Sequence, residues 1–425
     1  MSPFRHVILL VCVILLAACA VAPDTHDEVT ISIIGTNDVH GALSANDSVG
    51  GIVTVSAYAD ALRRARAADG GAVLLIDAGD MWQGSLESNL VEGAAVVDAY
   101  NAMGVTAAAI GNHEFDFGPV GKNAIPIEAG EDPRGNLKRR ASEAQFPLLA
   151  ANLIDLQTGM PVAWDNVKPS VMVEAAGIRI GIVGVVTEHA LTTTIAANTT
   201  GLRVAPLADT IAAEARKLRA DGAVLVIVAA HAGGKCTDIS DPEDLSSCVM
   251  AAEIMRVANQ LEPGTVDYII GGHNHNPIAH VVNGTPVTSN AAKTFSFGRV
   301  DFRVDRTQQA VVSRRVYAPQ HTAPGTRDTY EGYPLLANPA VERVALEAQA
   351  RADALKNKKL GVVLTEPFEL VPDIESALGN LMTEAMLDSF DADIAIHNVF
   401  GGIRNGLPGG DLTYGAVFEL SLIHI

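Results

Sequence analysis

The sequence predicts an α/β fold, and three observations carry that expectation. From residue 29 onward, short runs rich in Val and Ile alternate with longer segments of helical character. Most of those runs end at Gly, Asn, Asp or His, as buried strands feeding polar loops do. No apolar run after the first twenty residues reaches the roughly 20 needed to span a bilayer.

Taken in order, Val29–Thr36, Ala72–Asp77, Ala107–Ile110, Ile178–Val186, Ala223–Ala230 and Val266–Ile270 read as buried strands, because they are continuous, β-branched and apolar. Ile52–Ala68 and Leu207–Ala220 read as helices between them. Past Arg299 the pattern weakens. Thr307–Tyr333 carries Gly, Pro and scattered charges and is expected to be a connection. Asn338–Leu360, rich in Ala, Glu, Arg and Lys with Val and Leu at helical spacing, is expected to be a helix. A second α/β unit is expected from Gly361, with a helix over Glu375–Phe390, a strand over Ala392–Ile396 and a turn at Gly401-Gly402. Ser421–Ile425 stop without a turn, cap or polar tail, which reads as a chain cut short or given an extraneous end, with Val417–Leu422 left as an apolar edge.

The chain has 425 residues, 48% of them hydrophobic, enough to exclude disorder for most of its length. Its 30 Lys and Arg stand against 49 Asp and Glu, a formal charge of −19. Such acidity argues against binding a nucleic-acid polymer, where Lys and Arg on phosphates supply the affinity. An anionic substrate would need a local positive field. No protein partner is predicted.

At the amino terminus, Arg5 precedes the apolar run Val7–Ala18, which fits a secretory signal over residues 1–18. Leu16-Ala17-Ala18-Cys19 resembles the bacterial lipobox, so Cys19 is the candidate lipidation site and membrane anchor. The alternative is ordinary cleavage after Ala22. Either way an exported bacterial protein of the periplasm or cell envelope is expected. Cys236 and Cys248 flank the polar loop Thr237–Ser247 and are expected to form a disulfide in that compartment, worth about 2–4 kcal/mol. The competing reading, a metal site built on the two thiolates, has no second Cys pair to complete it.

The strand ends carry Asp38-Val39-His40, Gly79-Asp80, Gly111-Asn112-His113-Glu114, His231 and Gly272-His273-Asn274-His275. In Asp-x-His and His-x-His, alternate residues of an extended chain share a face. Imidazoles mixed with carboxylates suit transition metals or zinc; an all-oxygen set would suit Mg or Ca. Seven such groups exceed the four of a single tetrahedral site and suffice for two ions if one carboxylate bridges.

This ordered series resembles the calcineurin-like metallophosphoesterases. The phrases Gly35-Thr36-Asn37-Asp38-Val39-His40-Gly41 and Gly111-Asn112-His113-Glu114-Phe115-Asp116-Phe117-Gly118 are similar to those of its 5′-nucleotidase and UDP-sugar hydrolase branch. The resemblance implies a four-layer α/β/β/α sandwich over residues 27–320, a linker helix over 335–360, and over 361–425 the first part of a substrate-binding domain. It implies two divalent ions, of Mn, Zn, Co or Fe. Asp38, His40, Asp80 and His275 would hold the first ion; Asp80, Asn112, His231 and His273 would hold the second. His275 stands where other members carry Gln or Asn, which bears on metal preference. His113 would protonate the leaving oxygen or stabilise the transition state, oriented by Asp116. Glu114, His189, His280 and His321 read as solvated or supporting groups.

In the second unit, Asn398-Val399-Phe400-Gly401-Gly402-Ile403-Arg404 resembles that branch's substrate-binding Asn-x-Gly-Gly-x-Arg motif, with one extra residue after Asn398. Asn398, Gly402 and Arg404 are therefore the candidate substrate-binding residues. The function implied is release of phosphate from 5′-nucleotides, with UDP-sugars as further substrates. The alternatives are a 2′,3′-cyclic phosphodiesterase with 3′-nucleotidase activity, and a lipid-anchored binding protein with weak catalysis.

Overall fold

Period-two alternation along each strand decides which side chains meet which layer. A computed structural model describes residues 27–46, 48–371, 374–389, 392–398 and 402–420. Two sheets dominate it. The first has seven strands in the spatial order Ala310–His321, Ser296–Asp305, Glu28–Thr36, Ala72–Asp77, Ala107–Ala109, Leu148–Leu149, Val167–Lys168. The second has six, in the order Ile278–Val282, Thr285–Ser289, Tyr268–Ile270, Leu225–His231, Ile178–Val186, Ser170–Ala175. The central strands of both run parallel.

Ile31, Ile33, Leu74 and Ile76 of the first sheet share one buried core with Ile180, Ile182, Leu225, Ile227 and Ile270 of the second. The opposite parity faces outward. Ile34, Leu75 and Ala108 pack under helices Gly51–Asp69 and Ala94–Met103. Val183, Val226, Val228 and Ile269 pack under Leu207–Ala220 and Glu253–Gln260. The layers are therefore helix, sheet, sheet, helix, the sandwich implied by the motifs.

Helix Pro339–Lys356 starts at a strong signal: the Asn338 side chain accepts from the backbone N–H groups of Ala340 and Val341, and Pro339 occupies the first turn. Val341, Val344, Ala345 and Ala348 complete the outer core of the first sheet. Beyond it, strands Lys359–Leu364 and Gly410–Thr413 pair antiparallel, and helix Ala377–Ser389 lies between them in the chain.

Three expectations need correction. Ala310–His321 is a 12-residue edge strand, where a connection was expected. Ala392–Ile396 is not a strand; Ile394 and Ile396 lie 77% and 85% exposed. Tyr414–Phe418 is a short helix, so Val417 is not part of an edge strand. The leader, Cys19, Gly401 and Ser421–Ile425 lie outside the described residues. Among those described, no helix is long and apolar enough to cross a membrane.

Candidate metal centre

Five parallel strands, three from the first sheet and two from the second, deliver polar residues to one rim. Asp38 and His40 follow Glu28–Thr36; Asp80 follows Ala72–Asp77; Asn112 and His113 follow Ala107–Ala109. From the second sheet come His231, the last residue of its strand, and His273 and His275 after Tyr268–Ile270.

Strand alternation is not what brings these side chains together. Asp38, His40, Asp80, His273 and His275 all have positive φ, between 48° and 73°. Non-glycine residues seldom adopt that left-handed backbone, and its concentration here marks a strained, over-determined site. Backbone hydrogen bonds hold the turns: Asp38 N–H to the Gly79 carbonyl at 2.9 Å, and His40 N–H to the Asp80 carbonyl at 3.0 Å. The two histidines of Gly-His-x-His part company. His275 joins Asp38 and His40, whereas His273 joins Asp80 and His231.

In the first group, His275 Nε2 lies 3.4 Å from Asp38 Oδ1 and 3.1 Å from His40 Nε2. His40 Nδ1 faces the Gln83 carbonyl at 2.8 Å. A carbonyl only accepts, so the proton is on Nδ1 and Nε2 carries a lone pair. In the second group His231 repeats the pattern. Its Nδ1 donates to the Ala78 carbonyl at 2.8 Å, leaving Nε2 3.1 Å from Asp80 Oδ2 and 3.0 Å from Asn112 Oδ1. The Asn112 amide is fixed by donation from Nδ2 to the Thr193 carbonyl at 3.0 Å.

Without an ion, protons on His231 and His275 make these contacts hydrogen bonds; once those protons leave, the same nitrogens and oxygens converge as lone pairs on a cation. The donor set fits divalent ions of the transition series or zinc, and the carboxylates Asp38 and Asp80 are buried where an unpaired charge is costly.

The electrostatics agree. Burial keeps His40 and His273 down at about 4, so both are neutral near pH 7, the form in which an imidazole could bind a metal ion. Burial alone would also lower His231, but the Asp80 carboxylate outweighs it and raises the ring to about 10. That same negative field favours a metal ion. Asp80 itself is pushed up by burial and pulled further down by His231 and His113, to well below the usual carboxylate range.

His113 stands at the edge of the groups, its ring 5.4 Å from that of His40. Its Nδ1 donates to Asp116 Oδ2 at 2.5 Å, and Thr194 Oγ1 donates to Asp116 Oδ1 at 2.7 Å. Burial would lower His113; Asp80 and Asp116 overcome it and raise the imidazole to about 9.

Supporting residues were not all visible in the sequence. Glu114, read as solvated or supporting, is buried and accepts three backbone N–H groups: Asp80 at 2.9 Å, Met81 at 2.8 Å and Gly111 at 2.6 Å. It ties the Asp80 loop to the Asn112 loop. Asn290, which the sequence reading missed, pairs with Asn37, whose Nδ2 donates to Asp38 Oδ2 at 2.6 Å. Gly111 is required by space, since a Cβ there would lie 2.2 Å from Asp80 Oδ1.

Cys236 and Cys248 are joined by a disulfide. His280 is buried beside it, not solvated. In the second unit the Gly402 N–H donates to the Asn398 carbonyl at 2.7 Å, and Arg404 is exposed.

Known proteins resemble this chain in sequence and in fold. The endonuclease YhcR of Bacillus subtilis is 25% identical over 416 residues, covering 94% of this chain and 31% of that protein. The protein UshA of Yersinia enterocolitica is 25% identical over 430 residues, covering 94% of this chain and 74% of its own length. The chain thus spans about a third of one relative and three quarters of the other. The crystal structure of a 5′-nucleotidase precursor from Thermus thermophilus superposes with a TM-score of 0.63 over 92% of this chain and 73% of that one, at 21% identity. Residues 363–424 match the 5′-nucleotidase C-terminal domain. Residues 31–277, more than half of the sequence, match the calcineurin-like phosphoesterases, and the chain belongs to that family.

Proposed function

We propose that this chain is a metal-dependent phosphohydrolase that releases phosphate from 5′-nucleotides, with UDP-sugars as a second substrate class. The observation that carries the reading is the pair of adjoining ligand groups with the His113–Asp116 pair at their edge. We assign Asp38, His40 and His275 to one ion, and Asn112, His231 and His273 to another, with Asp80 shared.

When bound, two divalent ions supply Lewis acidity toward phosphoryl oxygens and lower the pKa of water at the centre. The chain's own groups do the rest. His113 keeps its proton near neutral pH and gives it from Nε2 to the leaving oxygen. Asp116 holds Nδ1, so the ring cannot turn away, and Thr194 holds Asp116. Arg404 offers a planar fork of donors to a phosphate or carboxylate, with Asn398 and Gly402 as the other substrate-binding residues. We also assign residues 1–18 to export and Cys19 to membrane attachment.

The test is hydrolysis of AMP, UDP-glucose and 2′,3′-cyclic AMP by the full chain with added Mn or Co. The cyclic diester is included because the Bacillus relative is named an endonuclease. AMP is expected to turn over fastest, and EDTA to stop it. No turnover of any of the three would overturn the proposal and favour a binding protein. His113→Ala separates the roles: metal content is retained, while turnover falls about 10²–10⁴-fold. Loss of metal together with turnover would place His113 among the ligands instead.

A further inference from the structure

A second set of ligand atoms lies outside the metal centre. Cys236 Sγ, Cys248 Sγ and a ring nitrogen of His280 all fall within 4.8 Å of one another. His280 is fully buried on strand Ile278–Val282. Its Nε2 faces the Asp238 carbonyl at 3.0 Å, and because a carbonyl only accepts, Nε2 carries the proton. Nδ1 therefore presents a lone pair, and it is buried with no hydrogen-bond partner among the described residues. An unmatched buried acceptor of this kind is costly and calls for a ligand.

The surrounding frame does not depend on the sulfur–sulfur bond. Cys236 and Cys248 sit opposite each other in a small antiparallel bridge. Val249 N–H donates to the Lys235 carbonyl at 2.8 Å, and Ser247 Oγ to the Asp238 carbonyl at 3.0 Å. The loop is tied to the histidine's strand by Val281 N–H to the Pro242 carbonyl at 2.8 Å. With the bridge opened, these bonds keep both sulfurs beside His280. A zinc ion with Zn–S of about 2.3 Å needs its two sulfurs about 3.8 Å apart, which side-chain rotation alone can supply.

We propose that Cys236, Cys248 and His280 form a redox-gated site for one zinc-type ion, closed while the disulfide stands and opened by a thiol reductant. In the first step a dithiol reduces the bridge: the S–S bond breaks, two S–H bonds form, and the reductant becomes its own disulfide. Cys248, only partly buried, is the accessible point of attack. In the second step the ion enters, two thiol protons leave to solvent, and two Zn–S bonds and one Zn–N bond form, with water in the fourth position. Bridge and ion exclude each other, so occupancy reports the thiol–disulfide balance around the protein.

The experiment compares zinc content of the full chain before and after reduction by a dithiol, with desalting under anaerobic conditions. Reduction is expected to add one zinc per chain, over and above whatever the Asp80 centre holds in both states. The Cys236→Ser/Cys248→Ser double variant should gain none, and His280→Gln should bind the extra ion at least 10-fold more weakly. Cobalt gives a second readout on the unmutated chain: a thiolate-to-cobalt charge-transfer band appearing only after reduction. No added zinc and no such band would overturn the proposal. So would added zinc that persists in the double Ser variant, or an affinity unchanged by His280→Gln.

Discussion

Glu114 is the residue whose importance the sequence conceals most. In a loop after a histidine, a glutamate reads as solvated, yet here three backbone N–H groups converge on its two oxygens. Burial and the nearby Asp80 charge push its carboxyl up to about 8, while those backbone donors oppose them. Above about pH 8, where the carboxyl is ionised, Glu114→Gln would set an amide N–H against a backbone N–H, leaving one buried donor unmatched at a cost of about 1–3 kcal/mol. The Asp80 and Asn112 loops should then loosen. We expect metal affinity to fall about 10–100-fold, measured by competition with a chelating dye, the range seen when ligand-supporting groups are lost. Unchanged affinity would show that the two loops hold their shape without the glutamate. Asn290 was illegible for a different reason: its partner Asn37 lies 253 positions away, and only the closed sandwich brings them together. Asp77 offers a test by pH. Burial raises it to about 6, against donation from Thr36, Gly79 and Tyr100. A carboxyl raised on folding contributes stability fully below its unfolded value near 4 and loses that contribution as pH climbs through about 6. The loss is about 3 kcal/mol. Asp77→Asn cannot ionise, so between pH 4 and 7.5 the variant should gain on the wild type by about that amount in urea unfolding. Parallel pH profiles for the two chains would refute this.

Elements with a strong apolar pattern were the legible ones. Ala72–Asp77, Ile178–Val186 and Leu207–Ala220 have the bounds the sequence predicts, because continuous Val and Ile runs and a 3.6-residue period leave little choice. Edge elements were not legible. Ala310–His321 has one neighbour and a mostly exposed surface, so Ser313, Arg314 and Arg315 give it a loop-like composition. Ala392–Ile396 fails the other way: its apolar alternation suits a strand, but no partner strand pairs with it among the described residues. Pattern supplies a face, and pairing needs a neighbour. Where the two sheets press together, one glycine sets the spacing. A Cβ on Gly184 would lie 2.1 Å from Leu149 Cβ and 2.6 Å from its carbonyl oxygen. Both obstacles are close to backbone, so a rotamer change cannot relieve them. Gly184→Ala should therefore destabilise the sandwich by about 3 kcal/mol, the upper part of the range for overpacking, read as a lower urea midpoint. A loss under 1 kcal/mol would mean that the sheets slide apart more easily than their shared core suggests.

At the scale of the whole molecule, the sandwich concentrates buried negative charge at one rim of a chain whose formal charge is already −19. Asp38 and Asp80 are both buried there, within reach of one another's fields, and Glu114, raised to about 8, adds its charge as pH climbs past that value. Without cations, those carboxylates are offset only by protonated imidazoles, chiefly His231 and His113, and that compensation weakens as pH rises. With two divalent ions it does not. Metal binding should therefore act as a stability switch for the first unit, because central strands of both sheets feed this rim. An ion at 100 times its dissociation constant contributes about 2.7 kcal/mol through mass action, so two ions contribute about 5. For a cooperative unit of this size that corresponds to a rise in Tm on the order of 5–10 °C. The measurement is thermal unfolding at pH 7.5 in EDTA and in excess Mn, on the wild type and on Asp80→Asn. The wild type should gain that rise, and the variant should lose most of it, because Asp80 is the residue assigned to both ions. A rise that survives intact in Asp80→Asn would move the bound metal elsewhere on the molecule and remove the shared carboxylate from the account of its activity.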